Sequence, residues 1–279
     1  MKKILITGAG SYIGESFARY IKTNCPDWFV DTVDMIDGTW REKDFSGYDS
    51  VFHVAGIAHR KETKENASLY YTVNRDLAEE TARKAKAEGV GQFVFLSSMS
   101  VYGMETGEIT RQTQPAPKSH YGSSKLEAEQ LLEVLKDDSF AVAVLRPPMV
   151  YGKDCRGNFQ TVIKLVKKLP AFPKLNNRRS MIHIDNLSAC VAWIISSGSR
   201  GLFLPQDPQY MNTSEMAMYI SRALGKTLHL SSFLGFGVKV LLPFVAMAQK
   251  AFGSLTYLQE EQPWQAAVTS QEDAVTGSV

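Results

Sequence analysis

Tyr121 and Lys125 stand four residues apart in Tyr121-Gly122-Ser123-Ser124-Lys125, a spacing that puts a phenol and an ammonium on one face of a helix. A tyrosine with a pKa of about 10 is a poor base at neutral pH, but a fixed cation beside it stabilises the phenolate. Lowering that pKa by about three units takes roughly 4 kcal/mol of preferential stabilisation of the charged form. With that help the phenol can exchange a proton with a substrate hydroxyl. Taken alone, the spacing is common by chance and equally describes solvated helix residues. The run Phe95-Leu96-Ser97-Ser98-Met99-Ser100-Val101-Tyr102-Gly103 adds to it. It lies at the end of an apolar, strand-like stretch, where open α/β sheets bind ligands, and Ser98 can hold a substrate oxygen against the tyrosine.

A second constellation opens the chain. Thr7-Gly8-Ala9-Gly10-Ser11-Tyr12-Ile13-Gly14 follows the first apolar run directly. A glycine-rich turn from strand to helix lets the backbone approach a pyrophosphate, and the helix N-terminus meets the charge with amide groups and the positive end of its dipole. Asp34 stands 20 residues after Gly14, at the expected end of the second strand. A carboxylate there accepts hydrogen bonds from an adenosine ribose and repels a 2′-phosphate, so NAD is favoured over NADP.

The elements that must position these groups are legible as a rhythm. Ile4-Leu5-Ile6, Val51-Phe52-His53-Val54, Phe93-Val94-Phe95-Leu96 and Val142-Ala143-Val144-Leu145 are short, nearly continuous apolar runs. They read as strands buried on both faces of a parallel sheet. Amphipathic stretches such as residues 77–88 lie between them, with Gly89 as a stop. The fold class expected is α/β, a Rossmann-like doubly wound parallel sheet with a smaller C-terminal substrate lobe. The expected boundaries are a dinucleotide-binding domain over 1–146, a substrate lobe over 147–258 and a disordered tail over 259–279. That tail has four acidic residues, no Lys or Arg and no apolar periodicity. Residues 34–51 are short for a strand plus a helix, so a brief third strand is expected at 39–42.

Composition narrows the function classes. With 31 basic and 29 acidic residues, the chain has no whole-molecule field for gripping nucleic acid or an anionic membrane. Cys25, Cys155 and Cys190 show neither a disulfide framework nor metal-ligand spacing, and no metal is expected. The chain opens without a signal-like apolar stretch, so a cytoplasmic location is expected. Residues 233–252 are apolar but interrupted by Lys239, Pro243, Gln249 and Lys250, short of the ~20 apolar residues a span requires. They read as core or interface helices in preference to a membrane-surface element.

In combination the motifs resemble the extended short-chain dehydrogenase/reductase family, in the nucleotide-sugar epimerase/dehydratase/reductase branch that includes UDP-glucose 4-epimerase. The resemblance runs over residues 2–225 and rests on TGAGSYIG, VFHVAG, Val73-Asn74-Arg75, FLSSMSVYG, YGSSK, LRPPMVYG and RRSMIHIDNL. It implies a catalytic set of Ser98, Tyr121 and Lys125. Tyr121 would exchange the hydroxyl proton, Ser98 would orient the sugar oxygen, and Lys125 would bind the nicotinamide ribose and lower the tyrosine's pKa. It also implies NAD contacts at Gly8, Gly10, Ser11, Tyr12, Ile13, Gly14 and Asp34, at the Asp44-Phe45 pair beside adenine, and at Ala55, Gly56 and Asn74. Ser98, Asn158 and Arg179 are the implied substrate contacts, with Arg179 on the diphosphate. The partner implied is a UDP-sugar, with a homodimer admitted.

The chain also departs from the family pattern. Ser11 replaces the middle glycine of TGxxGxxG, Met149 stands where 4-epimerases usually carry an asparagine, and an acidic polar tail replaces the usual ordered C-terminal segment. LRPPMVYG and Asn-Arg-Arg-Ser resemble more closely a short bacterial branch that includes UDP-4-keto-6-deoxy-N-acetylglucosamine 4-reductases of surface-polysaccharide synthesis. Epimerase and 4-keto reductase share these residues, and both readings stand open. A non-catalytic dinucleotide-sensing regulator or complex subunit on the same fold is the alternative. His59 is read as a loop histidine, His183 as a satisfied core histidine, and Cys155 as lacking the base a thiol nucleophile needs.

Overall fold

The computed structural model describes the chain except residues 59, 61, 243, 246–248, 250 and 251; the His59 reading therefore lies outside the described residues. The chain opens with β1 (Lys3–Thr7), α1 (Tyr12–Asn24), β2 (Phe29–Val33), β3 (Ser50–His53), α2 (Ala67–Tyr71), α3 (Leu77–Ala87), β4 (Gln92–Leu96) and β5 (Gly107–Ile109). It continues through α4 (His120–Leu135), β6 (Ala141–Leu145), β7 (Met149–Tyr151), α5 (Asn158–Lys168), β8 (Ala171–Pro173), β9 (Met181–His183) and α6 (Ile184–Ser197). It closes with β10 (Gly201–Phe203), α7 (Thr213–Ala223), β11 (His229–Ser231), α8 (Ser232–Leu241), β12 (Leu255–Tyr257) and α9 (Gln271–Thr276).

Two compact units emerge, and they interleave in sequence. The first comprises residues 1–103, 115–147 and 187–205. Its centre is a six-stranded sheet in the order β10-β6-β4-β3-β1-β2, with every pairing parallel. This is the doubly wound arrangement expected, and the apolar runs are its central strands. Ile4, Leu5, Ile6, Val51, Phe52, Phe93, Val94 and Phe95 are fully buried, which is why those strands read as continuous rather than alternating. The sheet's right-hand neighbours in sequence hold a surprise: β10, far beyond residue 147, pairs with β6 along the edge. The boundary expected at 146 is therefore corrected, because strand pairing returns 187–205 to the first unit, whereas 104–114 belong to the second.

No strand forms at 39–42. Gly38 turns the chain at φ +83°, Asp37 Oδ1 accepts from the Thr39 amide at 3.0 Å, and Thr39–Arg41 make a 3₁₀ turn that plugs Trp40 into the core. Val51-Phe52-His53 is thus the third strand rather than the fourth.

The second unit comprises residues 104–114, 148–186 and 206–279. Among the described residues it has three parallel two-stranded sheets, β5 with β12, β7 with β9, and β8 with β11. The expectation of a disordered tail is overturned. Trp264, Ala274 and Val275 are buried, and Ser270 caps α9. Asn186 donates to the Val268 carbonyl at 2.8 Å and accepts from the Val268 amide at 2.8 Å. A few anchors and side-chain clasps order this segment without periodicity. His183 is neutral and core-like, its ring edge-on to Tyr151 at 5.3 Å, with burial lowering its pKa.

Candidate active site

The glycine turn is shaped by contacts that exclude side chains. Gly8 adopts φ +102°, and a Cβ there would meet the Ala55 backbone at 3.0 Å, so only glycine fits. Its amide and that of Ala9 donate to the Val33 carbonyl at 2.9 and 3.1 Å, tying the turn to the end of β2. Gly10 sits at φ +73° with open space above its Cα. Ser11, the departure from the family pattern, has a job: its Oγ accepts from the Gly14 amide at 3.2 Å and caps α1. A Cβ on Gly14 would meet that Oγ at 2.7 Å and Ile6 at 3.0 Å. The first turn of α1, opened by Tyr12 and Ile13, presents the positive end of its dipole beside this open backbone. A turn that is open above Gly10 and capped at a helix start fits a dinucleotide pyrophosphate. Asp34, just past β2, is exposed and takes the Ile36 amide at 2.8 Å.

Asn74 has a structural role. It lies fully buried on a π-helical turn over Thr72–Asp76, a feature frequent at functional sites. Its Oδ1 accepts from the Ile57 amide at 2.8 Å, and its Nδ2 donates to the Ile57 carbonyl at 3.2 Å and to Ser124 Oγ at 3.1 Å. Asn74 thus clasps the chain after Ala55-Gly56 onto α4. Gly56 is boxed in by this clasp, since a Cβ there would meet Asn74 Oδ1 at 2.9 Å and Lys125 Nζ at 3.3 Å.

Ser98, Tyr121 and Lys125 lie where α4 meets the end of β4. Ser119 Oγ caps α4 by accepting from the Gly122 amide at 3.1 Å, and the Glu62 carboxylate accepts from the His120 and Tyr121 amides at 3.0 Å each. A negative group is favourable at that terminus. Gly122 is needed for close approach, because a Cβ there would lie 2.7 Å from the Ser100 carbonyl. That approach sets Tyr121 near Ser98, whose Oγ donates to Ser100 Oγ at 3.2 Å and accepts from the Ser100 amide at 3.1 Å. Burial pushes the phenol's pKa above its ordinary value, with the Ser98 hydroxyl opposing. One turn on, Lys125 is 4% exposed, donates to the Leu96 carbonyl at 2.8 Å and lies 4.7 Å over the Phe95 ring. Burial takes its ammonium down to about 8, with Glu129 opposing. Ser98, Tyr121, Lys125, Ala55, Gly56 and Asn74 are brought together.

Sequence reading missed what braces this set. Glu129, one turn beyond Lys125, is buried, accepts from Ser97 Oγ, and pairs with Arg146 Nη2 at 2.5 Å. Arg146 Nη1 donates in turn to the Tyr102 hydroxyl at 2.8 Å. The signal was present in the i, i+4 step from Lys125 and in an arginine closing an apolar strand.

Other expected site residues stand elsewhere. Asp44 is exposed and accepts from the Ser46 amide at 2.7 Å, while Phe45 is fully buried and its amide donates to Glu88. This pair therefore builds a turn and the core, because the short link to β3 draws Phe45 inward. Asn158 and Arg179 belong to the second unit. Asn158 is the exposed first residue of α5, behind Gly157 at φ +97°. Arg179 is half-buried and donates from Nη1 to the Gly253 carbonyl at 2.8 Å; burial lowers its pKa, with the Glu105 carboxylate opposing. Cys155 is buried, with its thiol pKa pushed up by burial. Among the described residues no cluster of His, Cys, Asp or Glu could hold a metal ion, and no helix is long and apolar enough to cross a membrane.

The sequence model of the NAD-dependent epimerase/dehydratase family matches residues 4–202. The chain belongs to that family of enzymes, whose cofactor is NAD. It is 31% identical over 252 residues to a UDP-glucose 4-epimerase of Vibrio cholerae, covering 81% of this chain and 76% of that protein. An N-acetyl-α-D-glucosaminyl-diphospho-ditrans,octacis-undecaprenol 4-epimerase of Escherichia coli O157:H7 is 23% identical over 257 residues, covering 83% and 76%. The structure of UDP-glucuronic acid 4-epimerase from Bacillus cereus in complex with NAD matches with a TM-score of 0.76 at 18% identity, covering 99% of this chain and 95% of that one. At that identity the likeness establishes the fold.

Proposed function

We propose that this enzyme acts at C4 of a UDP-linked sugar, as an epimerase or a 4-keto reductase. One observation carries the reading: Tyr121, whose phenol feels the neighbouring Ser98 hydroxyl, stands one turn of α4 before Lys125, whose Nζ is buried beside Gly56. The glycine turn from Gly8 to Gly14 would hold the NAD pyrophosphate and Asp34 the adenosine ribose, with Lys125 on the nicotinamide ribose. Bound nicotinamide supplies the hydride chemistry. Ser98 holds the substrate hydroxyl in line with Tyr121, which takes or returns its proton. Lys125 lowers the cost of the phenolate, opposing the burial that raises the phenol's pKa. Arg179 and Asn158 are the proposed contacts to the diphosphate and sugar.

The test is incubation of purified protein with UDP-sugars and UDP-4-keto sugars, with and without NADH. Either C4 epimers interconvert without net NADH use, or NADH is oxidised only with a 4-keto sugar. No turnover of any UDP-sugar under either condition would overturn the reading. Arg179→Ala is expected to weaken UDP binding roughly 10- to 150-fold, the scale of one charge-assisted hydrogen bond, with NAD affinity little changed.

A further inference from the structure

The second unit carries a surface that neither the sheet nor the proposed chemistry uses. Along α8, Phe233 is 83% exposed, Phe236 67% and Val240 51%, and Phe244 just beyond is 84% exposed. The spacing i, i+3, i+7 sets Phe233, Phe236 and Val240 on one face of the helix. On the opposite side Gly235 is buried, and a Cβ there would lie 2.2 Å from the Lys174 carbonyl. The helix is therefore seated by its glycine and turns its aromatic face outward. Within the stretch Gly235 packs on Lys174 and Phe252 on Phe172, whereas the aromatic face of α8 stands exposed among the described residues. The seat is firm: β11 pairs with β8 and runs directly into α8, whose first turn Ser231 caps. Lys226 Nζ donates to the carbonyls of Val166, Lys167 and Leu169, fastening the end of α5 to the same strand.

Charge singles out the same region. Residues 155–184 and 216–258 hold eleven of the chain's 31 basic residues and none of its 29 acidic ones. Lys164, Lys167 and Lys168 on α5, Lys174 beneath α8 and Lys239 on α8 are all exposed. A second copy of this chain would set the exposed lysines of two such faces against each other across a two-fold axis. An anionic lipid surface answers both features, taking the aromatic side chains at the headgroup boundary and the lysines among its phosphates.

We propose that α8 and the neighbouring lysines dock this protein peripherally on an anionic lipid bilayer, lying in the interface without spanning it. The proposal is independent of the sugar reading. It is tested by flotation of the full chain with vesicles of phosphatidylcholine alone or mixed with phosphatidylglycerol. Binding is expected to the anionic vesicles at low salt, weakened about tenfold or more on zwitterionic vesicles or at high salt. The double variant Phe233→Ser/Phe236→Ser should bind anionic vesicles about tenfold or more weakly, with its circular dichroism unchanged. Lys164→Glu/Lys168→Glu should cut binding without touching the aromatic face. Failure of the unaltered chain to float with anionic vesicles, or equal flotation of the serine variant, would overturn the proposal. So would gel filtration in which the unaltered chain is a dimer and the serine variant a monomer, since a second copy would then cover the face.

Discussion

The two units handle apolar residues in opposite ways. In the first, Ile4, Leu5, Ile6, Phe52, Phe93 and Phe95 are fully buried between helices, and the charged groups among them are partnered, as Glu129 is by Arg146. In the second, Phe233, Phe236 and Phe244 stand largely in solvent beside exposed lysines. A parallel sheet covered on both faces leaves apolar side chains nowhere to go but inward. Short two-stranded sheets bury less, and the second unit completes itself with clasps such as Asn186 on Val268. The contrast sets a unit that buries its apolar residues and pairs its buried charges against one that leaves an aromatic face in solvent.

The sharpest way to break the comparison is Tyr121→Phe. If the first unit is the chemical centre, turnover of the UDP-sugar should fall about 10²- to 10⁴-fold, the usual scale for losing a general acid/base. NAD affinity should hold, because the substitution removes only the phenol oxygen on α4 and leaves the glycine turn untouched. Steady-state kinetics beside a cofactor titration checks both. Near-normal turnover would remove the proton-transfer role.

That centre was also the part most legible from residue types. Continuous runs such as Phe93-Val94-Phe95 identify strands buried on two faces, and Gly8, Gly14, Tyr121 and Lys125 sit at spacings the backbone demands. The rest was hidden for physical reasons. Parallel pairing of β10 with β6 joins residues far apart in sequence, and no local pattern announces it. Asp44-Phe45 matched a motif by type, but a short link to β3 turned Phe45 into the core. The tail's order rests on single anchors, which periodicity does not register.

Trp264→Ala probes that last point. Trp264 is 7% exposed, so its truncation should cost about 3–5 kcal/mol, the range for large buried aromatics. Urea denaturation followed by circular dichroism, with limited proteolysis of residues 259–279, would reveal it. An unchanged midpoint would mean that the tail contributes nothing to the second unit.

Lys125→Met sets stability against function within the first unit. The folded-state pKa of Lys125 is about 8, below its ordinary 10.5. Between those values the unfolded chain binds more protons than the folded one, so stability rises with pH across that window. At pH ~7 the buried ammonium costs stability, and its removal should gain roughly 2–3 kcal/mol after loss of the bond to the Leu96 carbonyl. The gain should shrink below about 1 kcal/mol near pH ~10. Denaturation at both pH values tests the sign, and activity should be lost throughout.

The smallest expected effect concerns Asp34. The carboxylate follows Val33, whose carbonyl takes the amides of Gly8 and Ala9, so it stands at the edge of the glycine turn and exposed to solvent. A 2′-phosphate there brings a charge of about −2. At about 4 Å in a water-like dielectric, each unit of that charge costs about 1 kcal/mol against the carboxylate. The sum, about 2 kcal/mol, corresponds to roughly 30-fold weaker binding of NADP(H) than of NAD(H). Because the group is exposed, salt should narrow the gap, and calorimetry at low and high ionic strength should show it shrinking. Asp34→Ser should bring the two cofactors within about threefold at low salt, since only the carboxylate's charge separates them. Equal or tighter NADP(H) binding by the unaltered chain would show that Asp34 does not face the ribose, and the glycine turn would then hold the dinucleotide in a different register.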